Sequence, residues 1–434
     1  MTDQYDAIII GSGVIGCAVA FELAKKGYKT LNVDKLASAG YGSTSNSCAV
    51  IRVHYSTLVS SAVAFESYHH WKNWADYLEV DGEITLTEYK EVGCLVFKTP
   101  TNDELKSIRG FLDELGLEYE DWDTERIKDL MPIYDMQSFY PPKRVDDPEF
   151  GQPTGDGLWG AMYYKGGGYV NDPALAARNL QQAAEAKGSR FLFNQEVTKI
   201  RQANGRAAGV TLADGREFDA PVVVNCAGPH SFVINRMAGV EDEMKIKTKP
   251  MRVEVAHVPS PKGFDYEHNA PVISDGDVGC YTRPEVGNHI LIGSEDPECD
   301  TRQWVDPDNY SPNLGEKWTA QVYRMGQRIP EMPVPNLPQG VVGLYDCADD
   351  WVPIYDKSAL PGFYMAVGTS GNQFKNAPVV GQMMAELIQA CENGRDHDRD
   401  PVKFHLKHLD RTISIGFFSR NRGIVAESSF TVLG

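Results

Sequence analysis

The stretch from Asp6 to Asp34 constrains the fold more than any other part of the chain. The apolar run DAIII (6–10) meets GSGVIG (11–16); the residues that follow show helical spacing up to Gly27, and TLNVD (30–34) reads as a second strand. Strand, glycine-rich turn, helix and strand in this order make a βαβ unit. Gly11, Gly13 and Gly16 match G-x-G-x-x-G. The first glycine permits the tight turn, the second lets backbone approach a pyrophosphate, and the third lets helix and strand pack closely. Phosphates belong at the helix N-terminus, where unpaired N–H groups and the helix dipole favour anions. Asp34 closes the second strand, where an acid hydrogen-bonds a ribose hydroxyl. The unit predicts a dinucleotide site in a Rossmann-type α/β domain.

The remaining 400 or so residues limit what that domain serves. At 434 residues the chain suits one large or two intimately joined domains. Hydrophobic residues at 42% and charged residues at 24% are ordinary for a soluble protein. No uninterrupted apolar stretch approaches the roughly 18 residues of a membrane span. A net charge of −18 speaks against nucleic-acid binding, although one pocket can still be positive. The opening MTDQYD lacks the basic region of a secretory signal, so a cytoplasmic location is expected. Eight cysteines without any CxxC spacing suggest neither zinc nor a disulfide framework, and buried, reduced thiols are expected. His69-His70 lies in a helical pattern over 58–80 and reads as a solvated helix edge, so no metal site is assigned.

Two segments beyond the first unit look like a sheet edge meeting a ligand, and a third follows the second strand closely enough to run beside the pyrophosphate. PVVVNCAGPHS (221–231) is an apolar strand entering a Gly-Pro turn, and GFYMAVGTSGNQFKNAPVVGQMMAELI (362–388) is strand, Gly/Ser loop and long helix. GSTSNSCAVIRVHYS (42–56) opens with small and polar residues and becomes a β-like alternation, with Val50, Arg52 and His54 on one face and Ile51, Val53 and Tyr55 on the other. An arginine so placed needs a partner: either one of sixty acidic residues or a bound anion.

GSGVIG…NVD, GSTSNSCAVIR, VVVNCAGP and GTSGNQFK, in this order, resemble the D-amino-acid oxidase superfamily of flavoproteins, nearest the sarcosine oxidase and dehydrogenase group, over nearly the whole chain. The resemblance implies FAD as cofactor, and no second G-x-G-x-x-G is present to hold NAD(P)H beside it. It implies binding by Gly11, Gly13, Gly16, Asp34 and Lys35, and by Ser43, Thr44, Asn46 and Ser47 of the polar loop. Val197, Ala227 and Gly228 join them, with Gly368, Ser370, Gly371, Asn372 and Gln373 of the later loop toward the flavin ring. In the family an arginine at the place of Arg52 and a lysine at that of Lys375 hold a substrate carboxylate, and Tyr345 matches an aromatic near the amine. His54 completes the candidate catalytic set, with Tyr281 and Arg283 behind it. Core packing remains an equal reading for Tyr345, and an ordinary turn remains open for 368–373.

The expected fold is α/β: a discontinuous Rossmann-type FAD-binding domain (1–88, 158–240 and 336–434) with an α+β substrate domain (89–157 and 241–335) built on an antiparallel sheet. The Pro/Gly/Asp-rich 141–157 reads as a surface excursion, Asn171 or Asp172 as the cap of a helix ending at Gly188, and Asp214-Gly215 as a hairpin turn. The resemblance implies oxidation of the C–N bond of a carboxylate-bearing secondary or tertiary amine, such as an N-methyl amino acid, to an imine that hydrolyses. Alternatives are a primary amino acid (glycine or a D-amino acid) and a flavin-carrying subunit of a hetero-oligomer; homo-oligomers also stay open. Where relatives attach flavin covalently, this chain has Gly343, with Cys347 four residues on, and Asn46, which implies non-covalent FAD. Leu291 falls where oxidases place an oxygen-assisting lysine, leaving oxygen or another electron acceptor open.

Overall fold

The computed structural model describes residues 4–80, 84–155 and 157–434. Met1 to Asp3 of the opening segment, positions 81–83 of the first stretch assigned to the FAD domain, and Asp156 of the Pro/Gly/Asp-rich stretch lie outside the described residues.

AIII, TLNV, VVVN and FYMAV are buried along their whole length, as strands covered on both faces must be. They form the centre of a six-stranded sheet ordered 354–357, 363–367, 222–225, 7–10, 30–33, 190–192. Its register pairs Ala7 with Val222 on one side and with Thr30 on the other. All neighbours are parallel except Ile354–Lys357, which runs antiparallel to Phe363–Val367. The helix Val14–Lys25 lies on one face between Pro173–Ala186 and Ala377–Glu392, and Gly381 brings the last of these against the carbonyl of Ala18. Eleven of its twelve residues are buried, which explains a sequence apolar on every side. A three-stranded sheet, 197–203, 206–212 and 217–219, covers the other face, turning at Asp214-Gly215.

A second, nine-stranded sheet forms the other half. Thr248–Pro259 is its spine, flanked antiparallel by His289–Ser294 and by Gly340–Ala348. Only Val272–Asp275 and Cys94–Phe97 pair in parallel. The helix Glu316–Arg328 packs on its outer face. The antiparallel sheet expected for the substrate domain is therefore present. Strands Ala161–Tyr164 and Gly340–Ala348, which fall in ranges assigned from sequence to the FAD domain, belong to this sheet, and we propose a division of the chain along the sheets.

Two local expectations change. The helical pattern over 58–80 breaks at Asn73 into Leu58–Lys72 and Trp74–Leu78. The alternating run after the polar loop is a strand only at Val50–Ile51, paired with Gly168 and Tyr169. Beyond it Arg52, Val53, His54 and Tyr55 are all buried, so there is no solvent face and no simple alternation. Asp172 caps its helix by accepting from Leu175 N–H at 2.8 Å, with Pro173 in the first turn. All eight cysteines are free. Among the described residues no helix is long and apolar enough to cross a membrane.

Candidate active site

Between the two sheets lies an elongated cavity of about 560 Å³. At one end is the glycine turn. Gly11 has φ +105°, and a Cβ there would lie 2.3 Å from the Cys226 carbonyl oxygen; one on Gly16 would lie 2.1 Å from the Gly11 oxygen. These two glycines serve the close approach of strand and helix. Gly13 faces the cavity, where a Cβ would meet only Thr44 Oγ1, at 3.1 Å. That hydroxyl also accepts the N–H of Val14, tying the polar loop to the start of the helix. Asp34 accepts from Ser12 N–H at 2.6 Å and Leu36 N–H at 2.8 Å, while burial pushes its pKa up. Val197, Ala227 and Gly228 complete this end. Lys35 reaches Asp308 at 2.6 Å and His230 Nε2 at 2.9 Å, and His230 meets Asp308 at 2.9 Å, so a loop of the antiparallel half is clasped across the cavity's rim.

Further along, the loop docks on the second sheet. Ser43 Oγ donates to the Leu344 carbonyl at 2.7 Å and Asn46 Nδ2 to that of Val342 at 3.3 Å. Asn46 and Gly343 face each other: a Cβ on Gly343 would lie 3.2 Å from that of Asn46. Cys347 does not line the cavity. Cys48 does, its thiol pKa raised by burial, and it accepts from Tyr281 Oη at 3.4 Å. Tyr345 lies so close to Gly371 that a Cβ there would come within 2.5 Å of the ring. Asn372 also lines the cavity, and its Nδ2 is buried without a partner, 3.0 Å from where a Cβ on Gly434 would lie.

Two buried cations close the far end. The chain leaves the polar loop through Ala49, at φ +49°, and places Arg52 on the cavity wall. Its guanidinium donates to the carbonyls of His54, Val432 (3.0 Å) and Leu433 (2.9 Å), and lies 4.5 Å from the centre of the Tyr55 ring. Lys375 sits in the short turn Phe374–Asn376, fixed by Trp71, whose Nε1 donates to its carbonyl at 2.6 Å. The Lys375 Nζ donates to Tyr55 Oη at 3.0 Å and to the Asn372 carbonyl at 2.8 Å, and lies 5.0 Å from the Tyr55 ring. Among the described residues neither cation pairs with a carboxylate. Burial first, and then Arg52, drives the Lys375 pKa well down. Glu295, a buried acid that feels the charge of Arg52, accepts from the Ser274 hydroxyl, and burial pushes its pKa up to about 8.

Several expected residues stand elsewhere. Gly16, Gly368, Ser370 and His54 do not line the cavity. Gly368 and Ser370 give their N–H groups to buried Asp346, to Oδ2 at 2.7 Å and to its carbonyl at 2.8 Å. Asn372 gives its own to Thr369, so fewer of this loop's donors face a ligand than its composition suggests. Both nitrogens of His54 lack partners, and burial, followed by Arg52 and Lys375, lowers its pKa well below the ordinary value, so it is neutral. Arg283 pairs with Glu285 at 2.9 Å and Leu291 is off the wall, whereas Tyr281 lines it. The sequence reading missed Cys48, Asp308 and the pair Val432 and Leu433, and it did not single out Tyr55 beneath both cations. Only Tyr55 carried a signal, by following Arg52 in the same buried run.

Residues 6–387 match the DAO family, described as FAD dependent oxidoreductase. The chain is 25% identical over 418 residues to human mitochondrial sarcosine dehydrogenase, covering 92% of this chain but only 41% of that protein. It is 24% identical over 407 residues to glycine oxidase of Geobacillus kaustophilus (strain HTA426), covering 91% and 96%. Its fold superposes on L-proline dehydrogenase from P. horikoshii with a TM-score of 0.74 at 21% identity, covering 97% and 98%. The glycine turn, Asp34 on the cavity wall beside it and a cavity that runs on to the two cations suit FAD. The chain belongs to the DAO family of FAD-dependent oxidoreductases.

Proposed function

We propose that this enzyme oxidises the C–N bond of a small amine that carries a carboxylate, with an N-methyl amino acid as the preferred class and water hydrolysing the resulting imine. The observation that carries the reading is the pair Arg52 and Lys375, buried at one end of the cavity with no acid among the described residues paired to either. A carboxylate arriving there replaces the missing counter-charge, and a planar guanidinium beside a point-like ammonium fixes its orientation. FAD, when bound, supplies the two-electron acceptor.

The chain's own residues do the rest. Anchoring the carboxylate holds the α-carbon at one place and presents one C–H toward the cofactor, which lowers the barrier by orientation. The positive potential of the two anchors also disfavours the substrate's ammonium form, so the amine is delivered neutral without a dedicated base. Tyr345 and Tyr281 wall the region beside it, where ring faces suit an N-alkyl group. Asn46 opposite Gly343 offers no nucleophile for attachment, which supports FAD held without a covalent bond. A primary amino acid is the second reading, favoured by the glycine oxidase relative that the chain matches over nearly its full length.

Anaerobic mixing of the yellow holoenzyme with N-methylglycine, glycine, D-alanine and N-methylglycinamide tests this. Rapid bleaching by N-methylglycine and none by the amide is expected; faster bleaching by glycine or D-alanine selects the second reading. Equal rates for acid and amide would remove the carboxylate from the site.

A further inference from the structure

Residues 430–434 run back into the cavity. Ser56 takes hold of this segment twice at Gly434, through its N–H at 2.9 Å and through its hydroxyl, and accepts from Ser429 N–H at 3.2 Å. Arg302 donates to the Phe430 carbonyl at 2.6 Å. Val432 packs against Met251, Cys347 and Trp351, beside Tyr281 and Tyr345, and lines the cavity with Leu433.

The segment takes up the particular donors that a carboxylate needs. A guanidinium grips a carboxylate through one of two planar N–H pairs, Nε with Nη2 or Nη1 with Nη2. Both pairs include Nη2. In Arg52 the two Nη2 hydrogens go to the carbonyls of Val432 and Leu433, and Nη1 also donates to His54. Each fork therefore has at least one prong occupied by main chain, and a two-point carboxylate contact requires the Val432 and Leu433 carbonyls to leave.

We propose that residues 430–433 are a specificity element of the substrate site, a strap whose carbonyls exchange with the substrate carboxylate on Arg52. The proposal rests on the reading of Arg52 and Lys375 as the carboxylate anchor. A carboxylate displaces the strap because a bond between two ionised groups outweighs one in which only the guanidinium is charged. An uncharged amine lacks that advantage and leaves the strap seated, so the strap filters for charge as well as covering the empty anchor. Releasing Val432 also frees the wall beside Tyr345, which gives the substrate its room.

The test reads acetate binding to holoenzyme through the flavin visible band, with acetamide as the uncharged match. Wild type is compared with a chain ending at Ser429 and with Ser56→Ala, which keeps every residue of the strap and loosens only its clasp. Both variants should bind acetate about 5- to 20-fold more tightly than wild type, the scale of one or two competing hydrogen bonds, and acetamide, no longer held off by the seated strap, should gain as well. In the wild type, saturating acetate should speed hydrogen exchange at the amides of 431–434, an observation that needs no variant. Equal acetate affinity in all three proteins, with unchanged exchange and with binding abolished in Arg52→Met, would overturn the strap and leave the anchor standing. Acetate that binds none of them would overturn both.

Discussion

Arg328 and Arg52 are both buried arginines, and the fold treats them in opposite ways. Arg328, on the helix packed behind the antiparallel sheet, meets Asp275 at 2.8 Å and Asp277 at 2.7 Å, and gives its remaining donors to the carbonyls of Asp135 and Gln137. Its charge is matched and its hydrogen bonds are spent on its own protein. Arg52 has three carbonyls, a tyrosine face and a second cation nearby. Desolvating a cation without a carboxylate costs several kcal/mol. A protein keeps such an arrangement where something else completes it, so the contrast separates an arginine that holds the fold together from one that waits for a ligand.

The largest effect that can break this contrast is on stability. Arg328→Met strands two buried carboxylates and should destabilise the protein by about 3 to 5 kcal/mol, seen as a fall in Tm or in the urea midpoint. Arg52→Met strands none. It leaves only neutral carbonyls without a donor, so it should keep the flavin and cost clearly less stability than Arg328→Met. Its loss should fall on turnover instead: about 2 to 4 kcal/mol, or roughly 30- to 1000-fold in kcat/KM, for the carboxylate substrate, with little further loss for the corresponding amide. A melting temperature as low as that of Arg328→Met would class Arg52 as structural.

Lys375 sharpens the comparison through protons. Its pKa is driven well below the ordinary 10.5, so between the lowered value and 10.5 the unfolded chain binds more protons and this group makes stability rise with pH. A bound carboxylate raises the pKa again, and binding in that window draws up to one proton from solution. Affinity should therefore fall as pH rises, and calorimetry in buffers of different ionisation enthalpy reads the uptake directly. Lys375→Met should abolish the uptake and cost about tenfold in kcat/KM, less than Arg52→Met because a point charge lacks the planar grip.

The smallest effect concerns Glu295, which escapes becoming a counter-ion by holding its proton. With a pKa raised from 4.5 to about 8, it contributes stability that is complete below 4.5 and lost as pH rises through about 8. Glu295→Gln should flatten that slope in melts taken from pH 5 to 9. A slope that survives belongs to another group, with Asp346, at about 7, the next to replace.

Much of this arrangement could be read from the sequence because its signals are local. The Gly11 turn needs a positive φ, and Gly16 needs a close approach to strand backbone; both demands leave marks within a few residues. Buried parallel strands likewise appear as unbroken apolar runs. Arg52 and Lys375 could be named from their motifs, but their lack of an acid partner could not, since that depends on where all sixty acidic residues end up. Gly368 and Ser370 misled for the same reason: a Gly/Ser loop looks free to donate until Asp346, distant in sequence, takes its N–H groups. Val432 and Leu433 act through carbonyls, which every residue has, so no side-chain pattern could announce them.

The cavity's composition also sets an order of events in time. Its walls come from positions as far apart as Gly11, Ala227, Asp308, Tyr345 and Lys375, with Val432 and Leu433 last. No early portion of a growing chain holds more than a fraction of them, so FAD has no complete berth until the residues around Leu433 have been made. The two sheets must first meet, across sequence separations that make folding slow. Once seated, the cofactor binds only the finished form and pulls the equilibrium toward it, so flavin supply becomes a determinant of how much of this protein survives in the cell.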